Sequence, residues 1–158
     1  MRKILIISIF ILSSTGFAQN KNFVIENNLI VWKLIYEDST NISELKNNPR
    51  LEFKTDSTGY IKKTNFEDKN LRKFVAEFKI ESKKNKYRVS AYNFIFDVEA
   101  VLLETIKGME PTYTIESTFL KKDGTIRKAL AFGYNLTETL NPHLIKLFTI
   151  EKKVKSDW

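Results

Sequence analysis

The stretch KFVAEFKIESKKNKYRVSAYNFIFDV, Lys73 to Val98, decides the fold. From Lys73 to Glu81 apolar and charged residues alternate, with Phe74, Ala76, Phe78 and Ile80 on one face and Lys73, Glu77 and Lys79 among those opposite. Successive side chains of a strand point to opposite faces, so this pattern predicts a strand with one buried and one wet face. Ser82 to Lys86 (Ser-Lys-Lys-Asn-Lys) is a polar turn and Tyr87 to Val98 a second strand, which makes an antiparallel hairpin the economical reading. The second strand changes phase. Tyr87, Val89 and Ala91 share one face, whereas Tyr92, Phe94 and Phe96 fall on the other unless a bulge intervenes near Ala91. With a bulge all six residues form one buried stripe. Without it Tyr92, Phe94 and Phe96 are an open aromatic row able to grip a sugar, peptide or lipid, and they are the candidate ligand-binding residues.

Working outward, Leu29 to Glu37 (Leu-Ile-Val-Trp-Lys-Leu-Ile-Tyr-Glu) is β-branched and aromatic on both faces over much of its length and predicts a central strand. Asn41 followed by Glu44 has the spacing of a capping box, so a short helix to about Asn48 is expected, ended by Pro49. Thr58 to Phe66 and Thr112 to Leu120 are further strand candidates, with Asp123-Gly124 a turn after the second. Glu99 to Ile106 fits a short helix or an edge segment equally well. Asn141-Pro142, a cap residue followed by a proline suited to the first helical position, starts an expected last helix from Pro142 to about Ile150. The fold class is therefore α+β: an antiparallel sheet of four to five strands packed on one face by the helix near Asn41 and the C-terminal helix. A lipocalin-like antiparallel barrel is the alternative.

This order of elements resembles a family of small exported bacterial proteins with a TBP-like (TATA-binding-protein-like) fold, widespread in Bacteroidetes. Asn28-Leu29-Ile30-Val31-Trp32, Phe78-Lys79-Ile80 with Lys86-Tyr87-Arg88-Val89, and Leu147-Phe148-Thr149-Ile150-Glu151-Lys152 carry the likeness. It implies a curved sheet with helices on its convex face and implies no known activity. The short first helix and the long segment after Val98 depart from the pattern, so the topology of residues 99–125 stays open.

Residues 1–18 have the layout of a secretory signal peptide. Arg2 and Lys3 form the basic start, Ile4 to Leu12 an apolar run broken only by Ser8, and Gly16 and Ala18 the small-residue cleavage pattern. The expected organisation is a signal peptide, 1–18, and a single α+β domain, 19–158, exported to the periplasm or beyond. The apolar run is less than half the roughly 20 residues a spanning helix needs, so no membrane span is expected after cleavage. The chain of 158 residues has no cysteine, which excludes disulfide staples, thiolate metal sites and a lipidated N-terminal Cys, so no lipid anchor is expected. Loss of Arg2 and Lys3 reduces 26 basic residues to 24 against 19 acidic, a net charge of about +5. Lys outnumbers Arg 21 to 5, and Arg is the side chain suited to bidentate phosphate and base recognition, so together with export this argues against a nucleic-acid partner.

No catalytic set assembles from spacing. His143 is the only histidine and lacks an assignable nucleophile and orienting acid, and Glu67-Asp68 lacks the alternating oxygen ligands of a calcium loop. No catalytic, metal or cofactor residue is therefore assigned, and the chain is expected not to be an enzyme. The expected function is a binding or interaction module of the cell envelope, its partner a protein, peptide or glycan. Two alternatives stand beside it. Carboxylate pairs such as Glu99 with Glu104 or Glu77 with Glu116 raise a hydrolase. Lys83, Lys84, Lys86 and Arg88 at the hairpin end are candidate anion-binding residues for an acidic glycan or lipopolysaccharide, although such charge also protects a sheet against edge-to-edge association.

Overall fold

The computed structural model describes residues 22–37, 42–63, 73–97, 112–128 and 135–150. Its strands are β1 (Phe23–Glu26), β2 (Leu29–Tyr36), β3 (Leu51–Phe53), β4 (Thr58–Ile61), β5 (Phe74–Lys83), β6 (Lys86–Asp97) and β7 (Thr112–Thr114). The helical segments are a 3-10 helix (Ile42–Asn47), α1 (Ile115–Phe119), a π turn (Leu136–Leu140) and α2 (Asn141–Phe148). The expected signal peptide lies outside the described residues.

The hairpin that decides the fold is β5–β6, paired from Phe74↔Phe96 to Lys83↔Lys86. Its turn is Lys84-Asn85, at φ 47° and 61°, both in the left-handed region that a two-residue hairpin turn of matching twist requires. The same device joins β1 to β2, where Asn27 and Asn28 sit at φ 50° and 63° between the paired Glu26 and Leu29. Strand order is β1-β2-β6-β5-β4-β3, every pairing among the described residues being antiparallel, and β7 pairs β6 beyond the stretch that β2 occupies. The sheet is open, with β1 and β3 at its ends, so the barrel alternative is set aside. It has seven strands rather than four to five, because β1, β3 and β7 are only three or four residues long and too short to show a period.

The phase change resolves as a bulge. Val75 pairs Ile95 but Glu77 pairs Tyr92, so one extra residue lies on β6, and Asn93 takes it up at φ 55°. The bulge expected near Ala91 is therefore present, and it falls after Tyr92 rather than before it. Phe94 and Phe96 rotate onto the face of Tyr87, Val89 and Ala91, and all five are buried; Tyr92 stays on the other face, half-buried. Tyr92, Phe94 and Phe96 therefore do not form one open row.

The buried face is one continuous core. Phe74 tilts against Phe94 and Phe96, Phe96 stacks on Tyr113, and Phe78 meets Phe53 and Phe148 edge-on. Gly59 on β4 leaves room for this: a Cβ there would lie 2.1 Å from the backbone oxygen of Glu52 and 2.8 Å from the Phe78 ring. The helical layer differs from expectation in three places. The segment after Asn41 is a 3-10 helix with Leu45 as its buried residue. The expected strand Thr112–Leu120 stops at Thr114, whose hydroxyl accepts from the Ser117 amide and caps α1. The expected last helix is present as α2, with Pro142 in its first turn, but the helical run starts earlier, at a cap by Asn135, which accepts from the Glu138 amide, so Asn141 lies inside it. Pro142 has no N–H to give the carbonyl a turn earlier, and the chain before it widens into the π turn, with the Asn141 amide reaching Leu136.

Asn141 is instead a buried polar anchor. Its Oδ1 accepts from the Trp32 indole at 2.9 Å and the Asn22 side chain at 2.8 Å, tying α2 to β2 and to the residue that precedes β1. At its other end α2 leaves carbonyls without helical partners. Ile145 accepts from the Tyr36 hydroxyl, Leu147 from the Asn48 side chain and Phe148 from the Tyr87 hydroxyl at 2.6 Å. The helix is held to the sheet at both ends.

Candidate functional site

Helices cover one face of this sheet, and the described elements leave most of the other open, Val31 and Ser90 being its buried residues. Period-two alternation places Tyr60 on β4, Glu77 on β5 and Tyr92 on β6 on that open face, and the register lines them up: Tyr60 pairs Glu77 and Glu77 pairs Tyr92. Neighbouring strands lie about 4.8 Å apart, so the two phenols flank the carboxylate with about 10 Å between their strands. All three side chains are partly exposed. The Asn93 amide, turned outward by the bulge, donates to Glu77 at 2.9 Å and fixes one side of its carboxylate. The Lys54 ammonium sits 4.2 Å from the Tyr60 ring centre and donates to its hydroxyl, which holds the Lys54 pKa above its ordinary value. Partial burial, followed by the Glu77 charge, pushes the Tyr92 phenol up, so it remains a neutral donor at physiological pH. The row is a polar–aromatic platform: two rings offering faces and hydroxyls, with a carboxylate, an amide and an ammonium between and beside them. Ile35, at 57% exposure, extends the same face toward the hairpin end.

Of the aromatic candidates only Tyr92 is placed where a ligand can touch it. Phe94 and Phe96 are corrected to core residues at 0% exposure. Sequence reasoning missed Tyr60 and Glu77 as Tyr92's neighbours, since alternation gives a residue's face but not its partner across strands.

The hairpin end does gather Lys83, Lys84, Lys86 and Arg88, all exposed. Acids answer part of this charge: Lys86 pairs with Glu37 and Arg88 with Glu81, at 2.5 and 2.6 Å, and Glu81 also receives Lys79 at 3.2 Å. The hydrogen bonds from Arg88, then Lys79, hold the Glu81 carboxyl below its usual range.

Neither carboxylate pair is assembled in the described residues. Glu116 accepts from the Ile30 amide at 2.9 Å and closes the start of β2, while Glu77 engages Asn93 on the open face. Glu99 and Glu104 lie outside the described residues, as does Glu67-Asp68. Among the described residues no three His, Cys, Asp or Glu side chains gather as a metal site, and no helix is long and apolar enough to cross a membrane.

His143 is half-buried beside a groove of about 570 Å³ between the 3-10 helix and α2, with Arg50 and Lys146 also in its walls.

These features define an α+β domain with one helix-covered and one open sheet face. No family model matches the chain, and no curated protein matches it. Among solved structures it is similar to a TBP-like protein from Parabacteroides distasonis, with 13% sequence identity over 79% of this chain and 94% of that chain, at a TM-score of 0.45.

Proposed function

We propose that the protein is a non-catalytic binding module of the cell envelope and that it holds a saccharide on its open sheet face. The Tyr60–Glu77–Tyr92 row carries this reading. Sugar rings present C–H faces that pack on aromatic rings and hydroxyls that need fixed acceptors and donors, and the row supplies both on adjacent strands. Asn93 and Lys54 preset the orientations of Glu77 and Tyr60, which lowers the ordering cost of binding. Export through residues 1–18, with a mature chain starting at Gln19, would bring this face to the compartment where envelope glycans are found.

The test is retention on a panel of purified envelope polysaccharides and on glycan arrays. The purified chain is expected to bind a neutral glycan, and Tyr60→Ala with Tyr92→Ala is expected to abolish binding while leaving the melting temperature nearly unchanged. Turnover of any glycan, abolished by Glu77→Gln, would replace this reading with the hydrolase. Retention that disappears with salt and with Lys83→Glu and Lys84→Glu, but survives loss of both tyrosines, would move the site to the hairpin end.

A further inference from the structure

We propose that the basic turn at residues 120–128 docks on an anionic lipid surface, a contact independent of the open sheet face. The stretch Lys-Lys-Asp-Gly-Thr-Ile-Arg-Lys, Lys121 to Lys128, holds four cations and one acid in eight residues, a net charge of +3. Every residue in it except Ile126 is exposed. None of the four cations forms a salt bridge among the described residues, whereas at the hairpin end Lys86 and Arg88 are met by Glu37 and Glu81. The one acid, Asp123, serves the turn itself: it accepts from the Thr125 amide at 2.9 Å and from the Thr125 hydroxyl at 2.6 Å. Of the four cations only Lys121 acts on its charge.

The backbone that carries these charges is fixed before any surface arrives. Leu120 bridges Ile126, the Lys121 amide donates to Thr125 and the Gly124 amide to Lys121, and the Arg127 amide returns to the Phe119 carbonyl at 2.7 Å. Phe119 and Ile126 are buried and root the turn in the core. Folding back in this way gathers all four cations on one knob and leaves little backbone ordering to be lost on contact. The chemistry of the knob selects its partner. Residues 121–128 expose no aromatic ring and no large apolar side chain, so nothing in them can stack a sugar or a base. Three of the four cations are lysines, compact point charges without the planar fork of Arg. Such a group matches a surface whose phosphates are many and free to rearrange around it, as lipid headgroups are. Each cation brought to an anionic leaflet is worth about fivefold in partition, an effect that falls off within a Debye length.

Co-sedimentation of the purified chain with vesicles tests the contact, using phosphatidylglycerol and phosphatidylcholine in equal parts against phosphatidylcholine alone. Partition into the anionic vesicles is expected to exceed that into the neutral ones about tenfold or more at low ionic strength and to fall as salt is added. Lys121→Gln with Lys122→Gln is expected to lower it about tenfold or more, and Arg127→Gln with Lys128→Gln provides the same reading should the first pair disturb the turn. Lys83→Gln with Lys84→Gln removes the same charge from the hairpin end and is expected to lower it about twofold or less, which separates a docking site from net charge. Tyr60→Ala with Tyr92→Ala is expected to leave it unchanged, so failure here is separable from failure of the open-face site. No gain on anionic over neutral vesicles, equal losses in the hairpin-end and turn variants, or unchanged partition in a folded turn variant overturns the proposal. Binding to dextran sulfate without partition into vesicles overturns it too, by moving the site from a lipid to a soluble polyanion.

Discussion

Single atoms decide several of this protein's contacts. At Gly59 there is no space for a methyl group, because the nearest obstacle is a backbone oxygen of the neighbouring strand at 2.1 Å and cannot swing away. Gly59→Ala is expected to cost about 3 kcal/mol or more, at the upper end of overpacking changes, read as a lower urea midpoint at unchanged slope; a midpoint equal to that of the parent would mean β3 moves off β4 freely. Asn141 is the opposite case, a polar group whose removal strands a partner. In Asn141→Ala the buried Trp32 indole N–H loses its acceptor, for an expected loss of about 1–3 kcal/mol, and Trp32 fluorescence should shift with it. Neither role is legible in the sequence. Asn141 before Pro142 reads as a cap by local rules, and only the distant Trp32 and Asn22 show that its side chain faces inward.

At the scale of elements, what the sequence displays is periodicity and what it hides is register. The β5–β6 hairpin is legible because ten to twelve residues of alternation outweigh any local ambiguity, and because Lys84-Asn85 tolerates a turn with positive φ at both positions. β1 and β7 are not, since four and three residues carry no period. The short helix α1 breaks the expected strand at Ile115 through a hydroxyl cap at Thr114, a contest between β propensity and capping that pattern alone does not settle. The bulge lies between these extremes: the phase slip announces it, but the residue that absorbs it is chosen by which side chain tolerates left-handed backbone, and Asn93 is better suited than Tyr92. Asn93→Gly should therefore be close to neutral, whereas Asn93→Val should cost about 1–2 kcal/mol. Phe94→Ser should cost about 3–5 kcal/mol and Tyr92→Ser little, because the bulge divides them between core and open face. Thermal melts of the four variants check both statements, and equal losses at Phe94 and Tyr92 would contradict the division.

On the scale of the whole molecule, polar contacts join the two layers, and phenols supply two of them at the end of α2. Tyr36 and Tyr87 stack with ring centres 4.6 Å apart and donate to the carbonyls of Ile145 and Phe148. Burial first, then the neighbouring Tyr87, raises the Tyr36 pKa far above its ordinary value near 10, with the Thr149 hydroxyl opposing. In the unfolded chain Tyr36 would release its proton near pH 10, while in the folded protein it keeps that proton to higher pH. Through that window the native state binds more protons than the unfolded state, so stability falls as pH rises. Below about pH 10 both states are protonated and the contact is at full strength. Tyr36→Phe removes this titration together with the hydrogen bond. The variant is expected to be weaker than the parent at neutral pH but to lose stability less steeply above pH 10, so the two curves of unfolding free energy against pH converge. The difference between the curves reports Tyr36 together with its coupled neighbour Tyr87. Parallel curves from pH 7 to 11 would mean that the phenol ionises in place without loosening the helix from the sheet.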